Sequence, residues 1–340
     1  VSILYYTGWE AGSIAAYTSQ YVALWGGNAS INSTAANQHR NLAGEGGNYC
    51  VNLDDTWQCA ANTVPAGTAR WLHFWWKPGA FMFVSLTRSG VSQVGILLNE
   101  GAATIYIGAT GGPLISLYGT HNPNVPHWIA IEAVCQNAGG LVNVFIDDVL
   151  VISFSGDTQA HATLSDWDAW FWGWTGGNGG FFNSGGQIDD VVVTDNTTGK
   201  LTEKKVFAIT ADTDSTPLTL TPSTGTDHSA LIDDIPLNDA DFNNTAVSGS
   251  EDNYTWTTIP TTSSISAVQF SARVTNDSGL TLGQISIKSN VTTVYQSAVT
   301  LPVSPTFRMI SHIQETDPDT AAAWTDGGLA AIEAGIKFTT

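Results

Sequence analysis

Positive charge is scarce in this chain. Only 11 of its 340 residues are Lys or Arg against 30 Asp and Glu, which leaves a net charge of −19. Binding nucleic acid through phosphates needs clustered cations, so that class of partner is excluded. An anionic membrane surface is excluded on the same ground. Charge of either sign is thin, at 12 % of residues, about half the usual share. No apolar run approaches the roughly 18 residues that would suggest a membrane-spanning helix. No window of the first half keeps a helical period. Walker and dinucleotide glycine loops are missing, and GGNGG at Gly176–Gly180 has no helix after it, so it reads as a turn. The seven histidines are scattered without ligand spacing. Cysteine is down to Cys50, Cys59 and Cys135. With no Cys-x-x-Cys, zinc is not expected. Cys50 and Cys59 flank VNLDDTWQ; they either close a disulfide or are small buried residues, and the odd total leaves at least one thiol outside an internal bridge. The chain opens VSILYYTGWE, without a basic n-region or a long apolar h-region. That reads as a product trimmed of its initiator Met, or as a secreted chain whose signal is already gone.

What is present is β-sheet grammar. Hydrophobic residues make up 43 %, and Gly, Thr, Asn and Ser supply most of the polarity, as in a globular chain rather than a disordered one. Short apolar runs separated by turn residues predict strands at Ser2–Tyr6, Trp71–Trp76, Phe81–Leu86, Val94–Leu98, Thr104–Ile107 and Leu114–Tyr118. Others are expected at Trp128–Val134, Leu141–Ile146, Val149–Phe154, Trp170–Trp174 and Ile188–Thr194. GGQIDDVVVTD at Gly185–Asp195 is the clearest of these, a buried strand entered through two carboxylates. The Ile-Asp-Asp core recurs in VNVFIDDVLVISF at Val142–Phe154, where Asp147-Asp148 reads as a hairpin turn. Asp189 and Asp190 are read as structural, one of them accepting backbone N–H groups from a neighbouring loop. The stretch Asn28–Thr68 is the least regular and is expected to form long loops on one rim.

Composition shifts near NTTGKLTEKK at Asn196–Lys205, which places a linker between two domains, 1–200 and 206–340. The second is expected to carry strands at Ile265–Thr275, Ile285–Leu301 (broken near Ser289-Asn290) and Phe307–Gln314. One short helix follows, capped by Thr325, with Leu329 and Ile332 on one face and Gly335 ending it. It is expected to be a lid on a sandwich edge before a closing strand at Ile336–Phe338. The fold class is therefore all-β: two sandwiches, the smaller carrying one short helix.

Four segments in order, RWLHFWWKPG (Arg70–Gly79), HWIAIEAV (His127–Val134), VFIDDVLV (Val144–Val151) and GGQIDDVVVTD (Gly185–Asp195), resemble the concanavalin A-like jelly roll, specifically its laminin G-like branch. The likeness covers about residues 1–197. It departs from the family at Asp147-Asp148, where Gly is preferred for positive φ, and at Asn28–Thr68, which has no counterpart. DSTPLTLTPSTGTDHSALIDDIP (Asp214–Pro236) and DPDTAAAWTDGGLAAIEAGIK (Asp317–Lys337) look like the C-terminal module that follows such a domain in tailed-phage virion proteins.

That fold also hosts retaining glucanases, which place two carboxylates about 5–5.5 Å apart, on alternate residues of one strand. Glu10, Glu45, Glu100 and Glu132 have no acidic residue two positions away, so no catalytic residue is assigned and no enzyme is expected. Asp166 and Asp168 do share strand spacing; with Trp57 and Trp167 they are the glycan-binding candidates, aromatic rings for sugar faces and carboxylates for hydroxyls or a metal. The other tryptophans in strands are expected mainly in the core. Calcium is the ion the acidic rims suit, with Asp54, Asp55, Asp195 and Asn196 as candidate ligands. The resemblances imply a structural protein on the surface of a tailed-phage virion, in capsid decoration or a tail or fibre. Its partners would be copies of itself, other virion proteins and host surface glycans. A secreted bacterial carbohydrate-binding adhesin and a polysaccharide-degrading enzyme are the alternatives.

Overall fold

The computed structural model describes residues 3–7, 21–25, 30–32, 50–53, 59–79, 82–89, 91–99, 101–107, 113–161, 163–172, 186–195, 199–204, 206, 209–234, 238–257, 264–277 and 279–340. In 5–7, 21–25, 30–32, 50–53, 59–66 and 171 the backbone alone is described. The described residues up to 206 belong to one compact unit and those from 209 onward to another.

The first unit holds β1 (Ile3–Thr7), β2 (Tyr21–Trp25), β3 (Ser30–Asn32), β4 (Cys50–Leu53), β5 (Cys59–Gly67), β6 (Ala69–Pro78), β7 (Met82–Arg88) and β8 (Val91–Asn99). It continues with β9 (Ala102–Ile107), β10 (Pro113–Tyr118), β11 (His127–Val134), β12 (Gly140–Ile146), β13 (Val149–Gly156), β14 (Trp167–Trp172) and β15 (Gly186–Asp195). An eight-stranded sheet runs β13-β12-β11-β6-β15-β4-β3, with β1 also on β15. A seven-stranded sheet runs β10-β9-β8-β7-β14-β5-β2. The two pack face to face as a sandwich: Phe74 of β6 meets Trp172 of β14 edge-on at 4.7 Å. The Trp167 indole N–H of β14 reaches the Ala133 carbonyl of β11 at 3.5 Å.

β12 alternates as a strand with one dry face should, burying Gly140, Val142, Val144 and Ile146. β6 does not alternate. Leu72, Phe74 and Trp76 face the other sheet, yet Trp71, His73 and Trp75 on its outer face are also buried. A strap of residues 199–204 and 206 lies against this face at His73. The Leu201 N–H donates to His73 Nε2 at 3.0 Å, and the Trp128 indole donates to the Leu201 carbonyl at 3.4 Å. A strand covered on both faces reads as one continuous apolar run, which is why RWLHFWW is so rich in tryptophan.

The expectation of long loops across Asn28–Thr68 is corrected: β3, β4 and β5 lie inside it. β5, CAANTVPAG, has small residues and a proline and no apolar alternation, so periodicity could not reveal it.

The second unit holds β16 (Ala211–Leu218), β17 (Thr221–Pro222), β18 (Asn243–Asn244), β19 (Glu251–Trp256), β20 (Val268–Val274), β21 (Leu282–Ser289), β22 (Thr292–Tyr295), β23 (Val299–Thr300), β24 (Arg308–Gln314), α1 (Asp326–Ala330) and β25 (Ile332–Thr339). Its six-stranded sheet runs β16-β19-β25-β21-β22, with β23 on β21; β20 pairs with β24 and β17 with β18. Phe270, Ile285, Ile287, Leu301, Ile310 and Trp324 are among the residues of its core. The break expected near Ser289-Asn290 is the β21–β22 hairpin, with Asn290 at φ 49°.

Thr325 caps α1 as expected, accepting the Gly328 N–H at 3.0 Å. Two other expectations there are corrected. Leu329 is buried in the core rather than on an edge lid. The helix also ends before Gly335, because the chain re-enters the sheet at Ile332. Gly335 lies inside β25, where a Cβ would run into the Asp252 carbonyl. The glycine is required by close strand approach rather than by a helix stop.

Candidate functional site

The register of the sandwich sorts its loops into two ends. Pro78 at the end of β6 pairs with Gly186 at the start of β15, and Gly186 pairs with Leu53 at the end of β4. Next to Trp76 on β6 is His127 at the start of β11, and the β12–β13 turn follows beside it. This hairpin end carries the connection from β10 to β11, Gly119–Pro126, which crosses from one sheet to the other.

That connection is held from within. Thr120 N–H donates to the Gly101 carbonyl at 2.8 Å. His121 wedges into the sandwich end, meeting Trp76 at 5.8 Å and His127 at 5.5 Å between ring centroids. Burial, with a smaller contribution from His127, holds the His121 ring down to about 4, so it is neutral at ordinary pH. His127 bridges the loop to the hairpin: one ring nitrogen lies 2.7 Å from Asp147 Oδ2 and the other 2.8 Å from the Asn122 carbonyl. Asn122 Oδ1 accepts the Asn124 N–H at 3.0 Å, the local turn for which asparagine is suited.

Asp147 and Asp148 sit at φ 48° and 68°, the left-handed pair of a type I′ hairpin. The turn read from the sequence is therefore there, without its usual glycine. Asp147 has a reason to be an acid. It accepts the Trp128 N–H at 3.0 Å as well as facing His127. Asp148 pairs with Lys200, whose ammonium also lies over the Phe145 ring.

On this fixed frame stands a set of exposed apolar groups. Tyr118, the last residue of β10, is 86 % exposed, Val149 64 %, Leu150 49 % and Val125 40 %. Asn122 and Asn124 are exposed among them. A ring held by a strand and a tied loop, with amide groups near it in sequence, can stack on a sugar face while the amides meet hydroxyls. Sequence reasoning missed Tyr118 because a strand-end tyrosine looks like any edge residue. The polar turn GTHNPNVP after it was the available signal.

The residues expected to bind glycan or metal are placed differently. Trp57, Asp54, Asp55 and Asn196 lie outside the described residues. Trp167 is fully buried, so its indole has no face to offer a sugar; it is a core residue, corrected here from a stacking candidate. Asp166 and Asp168 come together as their spacing implied, but on Arg88: Asp166 at 2.7 Å, Asp168 closer still. Their charge is consumed by that fork and by the Ser89 N–H, which donates to Asp168 at 3.3 Å. Asp195 ends β15 opposite Arg70, nine residues from Gly186 and so about 30 Å from it. Among the described residues, no three His, Cys, Asp or Glu gather where they could hold a metal ion.

Cys50 and Cys59 lie on β4 and β5, in different sheets; their side chains are outside the description. Cys135 is a free thiol, pushed up to about 12 by burial and therefore inert. The Ile-Asp-Asp carboxylates are structural, as read. Asp189 Oδ1 accepts the Asp190 N–H at 2.8 Å, and Asp190, at φ 49° in a bulge, accepts the Val206 N–H of the strap at 2.8 Å.

No family model and no curated protein matches this chain. Solved structures do. A galectin of Caenorhabditis elegans is 12 % identical, covering 41 % of this chain and 93 % of its own, with a TM-score of 0.30. An alginate lyase of the marine Aplysia kurodai is 8 % identical, covering 57 % and 100 %, with a TM-score of 0.38. Domain 4 of an extracellular arabinanase of Geobacillus stearothermophilus, in complex with arabinotriose, is 13 % identical, covering 57 % and 92 %, with a TM-score of 0.36. At these identities and scores no residue role transfers, and the chain's own geometry has to carry the functional reading.

Proposed function

We propose that the first unit is a lectin-like module that binds glycan at the hairpin end without cleaving it, and that the chain is a structural surface protein of a tailed-phage virion. Tyr118 carries the binding reading: a ring 86 % exposed beside a loop and hairpin whose own hydrogen bonds hold them still. Among the described residues, the lack of cleavage is supported by how the carboxylates are spent. Asp166 and Asp168 pair with Arg88, Glu132 accepts from Asn143, Asp147 serves His127 and Trp128, and Asp190 holds the strap. A glycosidase needs one carboxyl left to give a proton and a second facing the sugar. The virion reading rests on the two segments of the second unit quoted above, with that unit as the anchoring or oligomerising part.

The test is an immobilised glycan library probed with the intact chain and with Tyr118→Ala and Tyr118→Phe. Binding that falls about tenfold or more in the alanine variant, the equivalent of about 1.4 kcal/mol, and survives in the phenylalanine variant supports the site. Wild-type protein that retains no glycan, or Tyr118→Ala binding at full strength, overturns it. Release of reducing ends or unsaturated sugars from a bound glycan would make the chain an enzyme. Gold-labelled antibody on native phage particles tests the virion assignment, which falls if the particles stay unlabelled.

A further inference from the structure

We infer that the glycan accepted at the Tyr118 end is uncharged, a neutral hexose or pentose chain rather than a uronate, sialylated or sulfated one. This rests on the binding site proposed above and adds the chemical class of its ligand.

Recognising a carboxylate or sulfate takes a cation or a fork of N–H donors that is free to turn to it. Among the described residues the hairpin end offers neither. Lys200 is paired with Asp148 and lies over Phe145. Lys77, at the end of β6, has a partner of its own. Lys204 lies on the strap over the sheet face, between Leu201, held by His73, and Val206, held by Asp190. Both ring nitrogens of His127 are taken, by Asp147 and by the Asn122 carbonyl. His121 is uncharged at ordinary pH because burial holds it near 4. The guanidinium that could fork a carboxylate, Arg88, closes the β7–β8 hairpin at the other end and is already occupied by Asp166 and Asp168.

What the rim does present is negative or neutral. The Asp147 and Asp148 side chains are 56 % and 47 % exposed, on a chain of net charge −19. An anionic glycan laid along Tyr118 would approach two carboxylates with no uncommitted cation to offset them, and the overall field opposes its approach. A neutral sugar meets no such repulsion. Its apolar face suits the tyrosine ring, and its hydroxyls suit Asn122, Asn124 and the Asp147-Asp148 oxygens.

Matched pairs of ligands decide it: lactose against 3′-sialyllactose, and mannotriose against trimannuronate, titrated into the intact chain and into Tyr118→Ala at about 20 and 150 mM salt, where screening differs. The expected result is a Tyr118-dependent preference of at least tenfold for the neutral member of a pair, wider at low salt. Asp147→Asn with Asp148→Asn is expected to narrow that gap by at least threefold through tighter binding of the acidic member. Acidic sugars bound as tightly as or tighter than neutral ones, with binding lost in Tyr118→Ala, would overturn the inference and leave the site standing. Binding of either class that ignores Tyr118→Ala, or no binding at all, would remove the site and the inference together.

Discussion

Asp190 Oδ1 accepts the backbone N–H of Val206 at 2.8 Å, sixteen residues further along the chain. The bond joins the bulge of β15 to the strap that lies against the tryptophan face of β6. A hydrogen bond from a backbone N–H to a buried carboxylate is worth about 1.5–3 kcal/mol. Asp190→Ala is therefore expected to lower the stability of the first unit by about 2–3 kcal/mol, part of it from placing alanine at positive φ. Asp190→Asn, which keeps an acceptor and tolerates that φ, is expected to cost less than half as much. Eleven of the thirteen tryptophans precede residue 208, so urea unfolding followed by indole fluorescence reads this unit. Equal midpoints for wild type and Asp190→Ala would show that the strap is not held there.

The hairpin end makes a contrasting prediction, because its two aspartates differ in what they do. Asp148 is at φ 68° and pairs only with a partly exposed lysine, an interaction worth little. Replacing it by glycine removes the left-handed penalty, part of which glycine's greater unfolded-state freedom offsets, so Asp148→Gly is expected to stabilise mildly, by less than about 1 kcal/mol. Asp147→Gly removes the same penalty but leaves the Trp128 N–H and His127 without their carboxylate. It is expected to destabilise by about 1–3 kcal/mol. Opposite signs in the two urea midpoints are the check; the same sign in both would contradict the assigned roles.

How far these features could be read in advance follows from their physical kind. The strands of β6, β11, β12 and β15 announce themselves because they bury continuous or alternating apolar residues, and their order carried the jelly-roll likeness. The Asp147-Asp148 turn was legible from its two polar residues between apolar runs. β5 was not, since small residues and a proline encode pairing without a pattern. Trp167 and Tyr118 show why the site was harder. Whether a ring faces core or solvent depends on which sheet lies opposite, a long-range fact that a local window of sequence does not contain. Asp166 and Asp168 were correctly placed together, but their partner Arg88 lies about 80 residues away, beyond any spacing rule.

His73 makes the first unit sensitive to acid. Its Nε2 accepts the Leu201 N–H, and burial pushes it down to about 3. A base whose folded value lies below its unfolded one near 6.5 binds fewer protons when folded. Its contribution is therefore complete above about pH 6.5 and is lost as pH falls toward 3; His121, near 4, acts in the same sense. Indole-monitored urea midpoints should fall steadily from pH 7 to pH 5. In His73→Gln, which can still accept from Leu201 but does not titrate, the slope over that interval should be about half as steep or less. An unchanged slope would mean that His73 is not neutral in the folded chain.

In the second unit the corresponding keystone is Asp252, which has no exposure. Its Oδ1 accepts the N–H groups of Thr219 and Leu220 at 2.6 and 2.8 Å. Its Oδ2 accepts from the Tyr254 hydroxyl at 3.1 Å and lies 2.6 Å from His228 Nδ1. The distinctive segment around Thr-Pro-Ser-Thr-Gly-Thr-Asp-His is thus wrapped on one carboxylate, with Asp214 taking the His228 and Ser229 N–H groups beside it. Removing the carboxylate leaves the buried Leu220 N–H, the Tyr254 hydroxyl and His228 without it at once, while the Thr219 N–H keeps the Glu251 carbonyl at 3.1 Å, so Asp252→Ala is expected to cost about 3–5 kcal/mol. Asp252→Asn keeps one acceptor oxygen but turns an NH₂ toward other donors, and is expected to cost nearly as much. Hydrogen exchange at the Thr219 and Leu220 amides is the direct measurement. In both variants the Leu220 amide should lose protection by at least a hundredfold and the Thr219 amide, which keeps the Glu251 carbonyl, by less, while the strap amide of Leu201 in the first unit serves as the control. Protection unchanged at 219 and 220 would mean that the segment is held by its strand pairing to β19 rather than by Asp252.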